Sequence, residues 1–341
     1  MRIGNNPNKD LPQDINNYSH QIIIPVYIPC HESYFKDSLR ILKLCLESLF
    51  NTIHANTFIT IVNNGSDILT KEYLDELWDN SKINELIHTN NIGKLNSIIK
   101  GIVGNNIQLV TISDADVLFL ENWQIETNRI FKNFSKAGVV GIVPQIKTFE
   151  YQCGNVIFDH LFDQRMKFIP VLNSHAMQKF YESIGWENDY NQDYLKFGLG
   201  LEYQNNINAF IGSGHFVATY RKDIFEEIII YQPYKLGGTS EKYLDNVALE
   251  KDYWRLTTQQ NYAFHLGNVF EDWMLEIKHV KKTNEVIDYK LIKFKKINKT
   301  LYFIKNKLFL KILFSKSIKG LFFRWKGLSK SKSIKYVKIK P

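Results

Sequence analysis

The sequence predicts an α/β protein in which a mainly parallel sheet with flanking helices is followed by a basic, amphipathic helical tail. Three observations support this fold class. Over about the first 145 residues, runs of β-branched residues alternate with segments of helical periodicity. A polar loop follows each apolar run. Residues 290–341 contain 17 Lys or Arg and no Asp or Glu, which is typical of a separate basic segment.

The first half contains four predicted strands connected by three predicted helices. "QIIIPVYIP" (21–29) predicts the first strand, although Pro25 restricts that strand to an edge, a start or a bulge. Apolar residues spaced by three and four from Leu39 to Ile53 predict an amphipathic helix. The other predicted elements are strands at 58–66, 85–89 and 109–113 and helices at 70–79 and 93–103.

The second half has a less regular pattern. Residues 147–210 are rich in aromatic residues and asparagine, as expected of a segment that lines a cleft. "INAFIGSGHFVATY" (207–220) predicts strand, and "KDIFEEIIIY" (222–231) predicts helix. "GGTSEKYLDNVALEKDYWRL" (237–256) predicts a glycine turn followed by a capped helix.

Composition narrows the class of protein. The chain is 44% hydrophobic, enough for a large core, and its odd number of cysteines, with no CxxC spacing, argues against a disulfide framework or a structural zinc site. Residues 1–20 lack the apolar segment of a secretory signal and predict a flexible lead-in. We therefore expect a protein of a reducing compartment.

Two aspartates directly follow the buried strand predicted at 109–113. Asp114 and Asp116 are two residues apart, so in extended chain they point to the same side. Their charges repel unless a cation lies between them, and their oxygens suit Mg²⁺ or Mn²⁺ bridging a diphosphate. A solvated turn or a helix cap is the alternative explanation for this tripeptide.

Four segments occur in a telling order: "IPVYIPCHES", "IVNNGS", "NNIGKLNSIIKGI" and "TISDADVLFLENW". They resemble the nucleotide-binding half of GT-A glycosyltransferases of the family-2-like group. "IGSGHFVATYRKDIFEEI" and "YAFHLGN" are similar to that family's acceptor half. The resemblance implies a domain over residues 21–275, with a nucleotide-sugar-binding half (21–146) and an acceptor half (147–275).

The resemblance implies a metal site that holds Mn²⁺ or Mg²⁺. Asp116 would be the main ligand, and Asp114 would reach the ribose or the water shell of the metal, with Ala115 in the same donor-binding turn. His265 in "FHLGN" would approach the same ion from the acceptor half. A hydrogen-bonded core histidine is the alternative for His265.

The resemblance also assigns the rest of the donor site. Residues near the base, ribose and sugar would be Pro29, His31, Glu32, Asn63, Asn64, Ser66, Gly212 and Gly214. "NNGS" replaces the one or two aspartates of many relatives, which leaves the identity of the base open. Lys94, at a helix start, would hold a phosphate or would be an ordinary solvated lysine. Trp186 would stack on the acceptor sugar or belong to the core.

Glycosyl transfer with inversion at the anomeric carbon requires a carboxylate that removes the proton of the acceptor hydroxyl. Asp245 matches the acidic position of the family and is the predicted base, with Glu241 one helical turn earlier in reserve. The predicted activity is metal-dependent transfer of a hexosyl group from a nucleotide diphosphate, most simply a UDP-sugar, to a cell-surface glycan or lipid-linked acceptor. The alternatives are a sugar-nucleotide nucleotidyltransferase and a noncatalytic protein that binds glycans or nucleic acid.

The basic tail, predicted over residues 276–341, contrasts with the rest of the chain. The formal net charge is +8, so the 17 cationic residues from 290 onward leave −9 on the remainder. Lysines alternate with Phe, Leu, Ile and Trp325, a pattern typical of helices that lie in an anionic membrane surface. We therefore expect a cytoplasmic protein on the inner face of the plasma membrane; nucleic acid is the rival partner of such a segment.

Overall fold

The computed structural model describes residues 17–187, 189–203, 207–226, 240–277 and 291–337, with isolated positions 4, 6, 9–11, 231, 233, 235 and 236. For residues 240–242 it describes the backbone alone. Most of the predicted lead-in, the glycine turn at 237–239 and residues 278–290 of the predicted tail lie outside these residues. The predicted α/β fold class, with a large sheet and flanking helices, is confirmed.

Twelve strands are present in the described part of the chain. They are β1 His20–Val26, β2 Thr57–Asn64, β3 Glu85–Thr89, β4 Leu109–Ser113, β5 Val117–Phe119, β6 Ala137–Gly141, β7 Met166–Pro170, β8 Phe197–Glu202, β9 Asn208–Ile211, β10 Val217–Arg221, β11 Trp254–Thr258 and β12 Ala263–His265. Ten form one sheet in the order β3-β2-β1-β4-β10-β6-β11-β9-β8-β7, and β12 pairs with β5 separately.

The first four strands of the sheet are parallel, as the sequence predicts. Strand β1 pairs in parallel with β2 and β4, and β2 pairs in parallel with β3. Every antiparallel pairing in the large sheet involves β7, β8, β9 or β10, which come from the second half of the chain. The carboxyl ends of β1 to β4 therefore meet at one edge, where ligands bind in folds of this kind.

Pro25 is compatible with a central strand because of how the two ladders of β1 end. The β1–β2 ladder runs to Val26, whereas the β1–β4 ladder stops at Ile23. Proline lacks a backbone N–H, and here it falls beyond the point at which both neighbours are paired. The prediction that Pro25 restricts this strand to an edge, a start or a bulge is wrong, because β1 lies between β2 and β4 and Pro25 falls beyond the end of the β4 ladder.

The helices follow the strands in the predicted alternation. They are α1 Ser38–Thr52, α2 Ile68–Asp79, α3 Lys94–Ile102, α4 Trp123–Asn133, α5 Gly154–Asp159, α6 Ser174–Ser183, α7 Ser240–Glu250, α8 Lys299–Phe303, α9 Leu310–Leu313, α10 Lys319–Trp325 and α11 Lys330–Val337. A π-helix, Ile304–Phe309, joins α8 to α9. Residues 222–225 of the predicted helix at 222–231 form a 3₁₀ turn, and residues 227–230 lie outside the described residues.

Helices cover both faces of the parallel sheet. Ile22 and Ile24 of β1 belong to the apolar cluster that contains Leu42 of α1. Ile23, between them, belongs to another cluster with Ile98 of α3. Alternate residues of a strand point to opposite faces, so this central strand is buried on both sides. That double burial accounts for its continuous apolar sequence.

The C-terminal tail packs against the acceptor half. Phe322, Phe323 and Tyr336 are at most 3% exposed and share a cluster with Phe149 and Phe168. The tail helices are therefore folded onto the domain through one face. Among the described helices, none has the length and apolar character needed to cross a bilayer.

The π-helix of the tail is the closest point of contact. A Cβ atom at Gly154, in α5, would lie 2.3 Å from the carbonyl oxygen of Lys305. Asn306 Oδ1 accepts a hydrogen bond from the backbone N–H of Asn155 at 3.0 Å. Only glycine permits this approach, so α5 and the tail form one packed unit.

Candidate functional site

The two aspartates that follow β4 lie at the edge where the parallel strands end. Asp114 is fixed by its backbone N–H, which donates to the carbonyl oxygen of Phe216 at 2.7 Å. Asp114, Ala115 and Asp116 border a cleft of about 460 Å³. We call Asp114 and Asp116 the strand-end pair. Both residues of the pair border this one cleft, and they do so from a turn at residues 115–116 instead of from the extended chain that the spacing predicts.

The cleft has an apolar side and a polar side. Its apolar lining comes from the end of β1 and the following 3₁₀ turn, and its polar lining comes from loops after β2, β3 and β4. The lining residues include Val26, Tyr27, Ile28, Tyr34, Phe35, Asn64, Asn91, Lys94 and Asn268. This combination of an apolar wall and converging polar groups is characteristic of small-molecule sites.

Lys94 enters the cleft from the N-terminus of α3. Its ammonium group forms an ion pair with Asp114 Oδ1. Gly93 caps the helix with φ +89°, and the N–H of Lys94 donates to the carbonyl oxygen of Lys235 at 2.9 Å. The helix start and its lysine therefore present positive charge to the cleft, beside the strand-end pair.

His265 reaches the strand-end pair through the two-stranded ribbon. In that ribbon β12 pairs with β5, and His265 is opposite Val117, the residue after Asp116. His265 Nε2 lies 3.4 Å from Asp116 Oδ2, and its Nδ1 lies 2.9 Å from Ser183 Oγ. The enclosed position of Asp116 raises the pKa of its carboxyl, and His265 opposes that rise.

The strand-end pair has the chemistry that a divalent cation requires. Asp114 Oδ1 and Asp116 Oδ1 are shielded from solvent; Asp114 Oδ1 is paired with the Lys94 ammonium group, whereas Asp116 Oδ1 accepts no hydrogen bond within the described part of the chain. Such oxygens cost free energy unless a cation or donor satisfies them. Among the described residues, no three His, Cys, Asp or Glu side chains form a ready ligand set. The two carboxylates would supply oxygen ligands to a metal that takes its remaining ligands from substrate and water.

The "NNGS" loop after β2 uses most of its polar groups internally. Asn63 Oδ1 accepts from the N–H of Ser66 at 3.0 Å, and Asn64 Oδ1 accepts from the N–H of Ile92 at 2.9 Å. Ser66 Oγ accepts from the N–H of Ile28 at 3.0 Å. Of the three predicted donor ligands in this loop, Asn64 lines the cleft. The other two hold the loop in position.

The predicted base-binding segment after β1 lies beside the cleft. His31 Nε2 forms an ion pair with Asp67 Oδ2 at 2.7 Å, which ties this segment to the N-cap of α2. Pro29 is half-buried and Glu32 is exposed. Among the described lining residues, Tyr27 and Ile28 represent this segment. The predicted Pro29, His31 and Glu32 are not among the described residues that line the cleft, and their role in binding the base stays a prediction.

The close approaches at Gly212 and Gly214 are made by the protein itself. A Cβ atom at Gly212, where φ is +100°, would lie 2.6 Å from Thr148. A Cβ atom at Gly214 would lie 2.3 Å from the side chain of Gln145. Both glycines are needed for the segment between β9 and β10 to pack closely against Gln145 and Thr148, whatever their distance from a donor sugar.

Asp245, the predicted base, is buried in α7. It is 4% exposed; its Oδ1 lies 2.7 Å from Arg255 Nη2, and its Oδ2 lies 3.4 Å from His215 Nε2. Burial raises the pKa of Asp245 to about 6, although Arg255 opposes the rise. Glu241 is in the same helix, but its side chain lies outside the described residues.

A short chain of contacts links Asp245 to the strand-end pair. His215, which neighbours Asp245, is followed by Phe216, whose carbonyl oxygen accepts from the N–H of Asp114. The segment "GSGHF" therefore runs between the two carboxylate sites. Sequence reasoning missed His215 and Arg255, although His215 lies within a segment whose glycines were singled out.

Trp186, the predicted acceptor ligand, is 43% exposed. Its ring lies 4.8 Å from that of Tyr181 and 6.4 Å from that of Tyr190. Tyr181 and Tyr190 are buried, so Trp186 forms the exposed end of an aromatic cluster. That position leaves part of the indole ring available for contact with a ligand.

The sheet, the strand-end carboxylates and the cleft define the class predicted from the sequence, an α/β fold with its site at the strand ends. The sequence profile of "Glycosyl transferase family 2" matches residues 22–228, which is more than half of the chain. The chain therefore belongs to glycosyl transferase family 2. No curated protein sequence shows a significant match to it.

Solved structures that resemble this chain include TarS, GalNAc-T7 and PcManGT. S. aureus TarS 1-349 is 12% identical, with a TM-score of 0.42 over 72% of this chain and 60% of that one. GalNAc-T7 with UDP, GalNAc and Mn²⁺ is 11% identical, with a TM-score of 0.47 over 75% and 45%. Mannosyltransferase PcManGT from Pyrobaculum calidifontis, in complex with GDP-Man and Mn²⁺, is 14% identical, with a TM-score of 0.40 over 73% and 58%. The chain thus spans less than two thirds of each of these proteins.

Proposed function

We propose that this protein is a metal-dependent, inverting glycosyltransferase. It transfers a hexosyl group from a nucleotide diphosphate donor, a UDP-sugar, to a cell-surface glycan or lipid-linked acceptor. It acts in the cytoplasm, on the inner face of the plasma membrane. One observation carries the proposal: at the edge of a cleft of about 460 Å³, two neighbouring carboxylates share a single lysine, and the shielded Asp116 Oδ1 accepts no hydrogen bond within the described residues.

In this proposal, different residues around the strand-end pair bind the metal, a phosphate and the base of the donor. Asp114, Asp116 and His265 would hold Mn²⁺ or Mg²⁺, which when bound neutralises charge on the departing diphosphate. Lys94, now paired with Asp114, lies where it can exchange that carboxylate for a donor phosphate. The apolar wall formed by Val26, Ile28 and neighbouring residues suits the planar base.

Asp245 supplies the base in this proposal. The acceptor oxygen attacks the anomeric carbon on the side opposite the diphosphate, and its proton passes to the carboxylate of Asp245. The bond from the anomeric carbon to the diphosphate oxygen breaks, and its electron pair stays on that oxygen. With a pKa of about 6, Asp245 is ionised at neutral pH and remains basic enough to accept the proton. Arg255 keeps the carboxylate oriented.

Nucleotide binding tests the metal assignment directly. Thermal melting of the wild-type chain is measured with UDP, GDP or CMP, each with and without Mn²⁺. We expect UDP with Mn²⁺ to stabilise the protein most, by about 2.7 kcal/mol when the nucleotide is at 100 times its Kd. Asp116→Asn should abolish the Mn²⁺-dependent part of that stabilisation.

Asp163→Asn is the matched control, because Asp163 is an aspartate paired with exposed Arg165 outside the cleft. This control should retain the nucleotide effect in full. Full Mn²⁺-dependent binding by Asp116→Asn would show that the strand-end pair does not hold the metal. Mn²⁺-dependent stabilisation by GDP, but not by UDP or CMP, would change the proposed donor base and leave the metal assignment intact.

A further inference from the structure

The helices of the C-terminal tail are apolar on two faces. The inner face of α10 contributes Phe322 and Phe323 to the core. On its outer face, Ile318, Leu321 and Trp325 are 38%, 62% and 54% exposed. Residues spaced by three and four lie on the same side of a helix, so these three form a continuous apolar surface. When a helix packs only against its own domain, its solvent-facing side is normally polar.

The preceding helical segment repeats this arrangement. Across the π-helix and α9, Ile304, Leu308 and Ile312 recur every fourth residue and are 39%, 44% and 50% exposed. Phe162 of the acceptor half is 85% exposed, and its ring lies 5.8 Å from that of Trp325. We call these seven residues, Phe162, Ile304, Leu308, Ile312, Ile318, Leu321 and Trp325, the outer apolar surface.

The charges interspersed with this surface are cationic. Lys307, Lys311, Lys316 and Arg324 are exposed on the same helices, and residues 290–341 contain no Asp or Glu. Exposed aliphatic and aromatic groups flanked by lysines match a bilayer that carries anionic headgroups above an apolar interior. Interfaces between proteins, by contrast, are depleted in lysine. Nucleic acids favour aromatic stacking and arginine, whereas five of the seven residues are aliphatic.

We propose that the outer apolar surface is a docking site for an anionic lipid bilayer, which it enters while the inner face of the tail stays packed on the domain. This inference names the membrane partner of the proposed function, and it also specifies which half of the enzyme faces the lipid. Phe162 and α5 belong to the acceptor half, so docking places that half at the membrane. The proposal rests on the proposed function only for its purpose, since vesicle binding needs neither donor nor metal.

Co-sedimentation of the full chain with vesicles tests the proposal. The vesicles contain either phosphatidylcholine alone or phosphatidylcholine with phosphatidylglycerol. We expect binding to the anionic vesicles that weakens as salt rises, because salt screens the lysines. The variant Phe162→Ser/Leu321→Ser/Trp325→Ser should bind at least about tenfold more weakly, because three apolar side chains no longer enter the lipid. These side chains are exposed, so an unchanged melting temperature would show that the fold is intact.

The variant Leu69→Ser/Trp78→Ser/Val103→Ser is the control, because it removes apolar residues that are 53% to 68% exposed in the donor half. It should bind vesicles like the wild type. Equal loss in both variants would overturn the proposal, as would binding to RNA but not to vesicles. A wild-type dimer that only the first variant abolishes, without vesicle binding, would also overturn it. Unchanged UDP binding by the first variant would separate this surface from the donor site.

Discussion

Two pairs of aspartates in this protein differ in how their oxygens are satisfied. Asp159 and Asp252 share two lysines: Lys136 and Lys305 lie 2.7 and 2.8 Å from the oxygens of Asp159, and Lys305 lies 3.0 Å from Asp252. The strand-end pair has one lysine, which is paired with Asp114 Oδ1, and the shielded Asp116 Oδ1 accepts no hydrogen bond within the described residues. The first pair is electrically complete within the protein. The second has one lysine for two carboxylates.

The completed cluster has a structural purpose that its connections make clear. Lys305 comes from the tail, Asp159 from α5 and Asp252 from the residues before β11. Although burial alone would raise the pKa of Asp159, Lys136 and Lys305 lower it below its ordinary value. The cluster therefore fastens the tail to the acceptor half. Charge balance, rather than the presence of two carboxylates, distinguishes a structural cluster from a ligand site.

Asp245 is intermediate between these two pairs in how far neighbouring cations balance its charge. It has one close cation, Arg255, and a histidine, His215, and yet its pKa is raised because it is buried. A carboxylate held this way is oriented and still able to take a proton. The comparison thus predicts that removing charge has different consequences in the three places: lost chemistry at Asp245, lost stability at the completed cluster and lost ligand binding at the strand-end pair.

The largest effect is expected for Asp245→Asn. Asparagine preserves the shape of the side chain but cannot accept the proton, so turnover should fall by about 10²- to 10⁴-fold. Donor binding should be unchanged, because Asp245 does not line the described cleft. Initial rates with a saturating donor, together with UDP titration, measure the two quantities.

Glu241→Gln is the companion variant, since Glu241 is one turn earlier in the same helix. It should retain most of the wild-type rate. Normal turnover of Asp245→Asn together with an inactive Glu241→Gln would transfer the role of base to Glu241. Loss of UDP binding in Asp245→Asn would instead make Asp245 a residue that supports the site.

Local patterns explain why much of the fold was predictable. Strands β1 to β4 and helices α1 to α3 are each encoded by a short run whose periodicity can be read without knowledge of the rest. The position of Asp114 and Asp116 follows from the same pattern, because they directly succeed an apolar run. The family segments added His265 and Asp245, which periodicity alone could not select.

The missed features depend on contacts between distant segments. The buried phenylalanines of the tail, Phe322 and Phe323, occur in a segment whose pattern is that of a membrane-surface helix. Only the tertiary structure shows that Phe323 packs on Phe149 and Phe168, in the cluster that also contains Phe322. Likewise, Asn63 has the chemistry of a nucleotide ligand, but its amide is used by Ser66. The identity of a residue limits its possible partners, and the fold chooses among them.

A smaller effect, on stability, is expected for Lys305→Met. Methionine retains the apolar stem but removes a charge that the buried Asp252 and the partly exposed Asp159 share. Lys136 still pairs with both carboxylates, so the free energy of unfolding should fall by about 1–3 kcal/mol. Urea denaturation measures it. Lys307→Met, at an exposed position two residues further along the tail, should change stability by less than about 0.5 kcal/mol. Equal effects of the two variants would show that the completed cluster does not fasten the tail.

The smallest effect, a shift in pH dependence, would sharpen the distinction between Asp245 and the completed cluster. The value of kcat/KM should rise as the pH increases through about 6, because Asp245 loses its proton there. Arg255 lowers this pKa, so Arg255→Gln should move the rise to higher pH by about one unit.

The effect of pH on stability has the opposite sign. The folded protein binds the proton of Asp245 more tightly than the unfolded chain does, so the contribution of Asp245 to the free energy of unfolding falls as pH rises from 3.8 to about 6. A rate profile unmoved by Arg255→Gln would mean that the ascending limb belongs to another group, and Asp245 would then resemble the structural aspartates rather than a base.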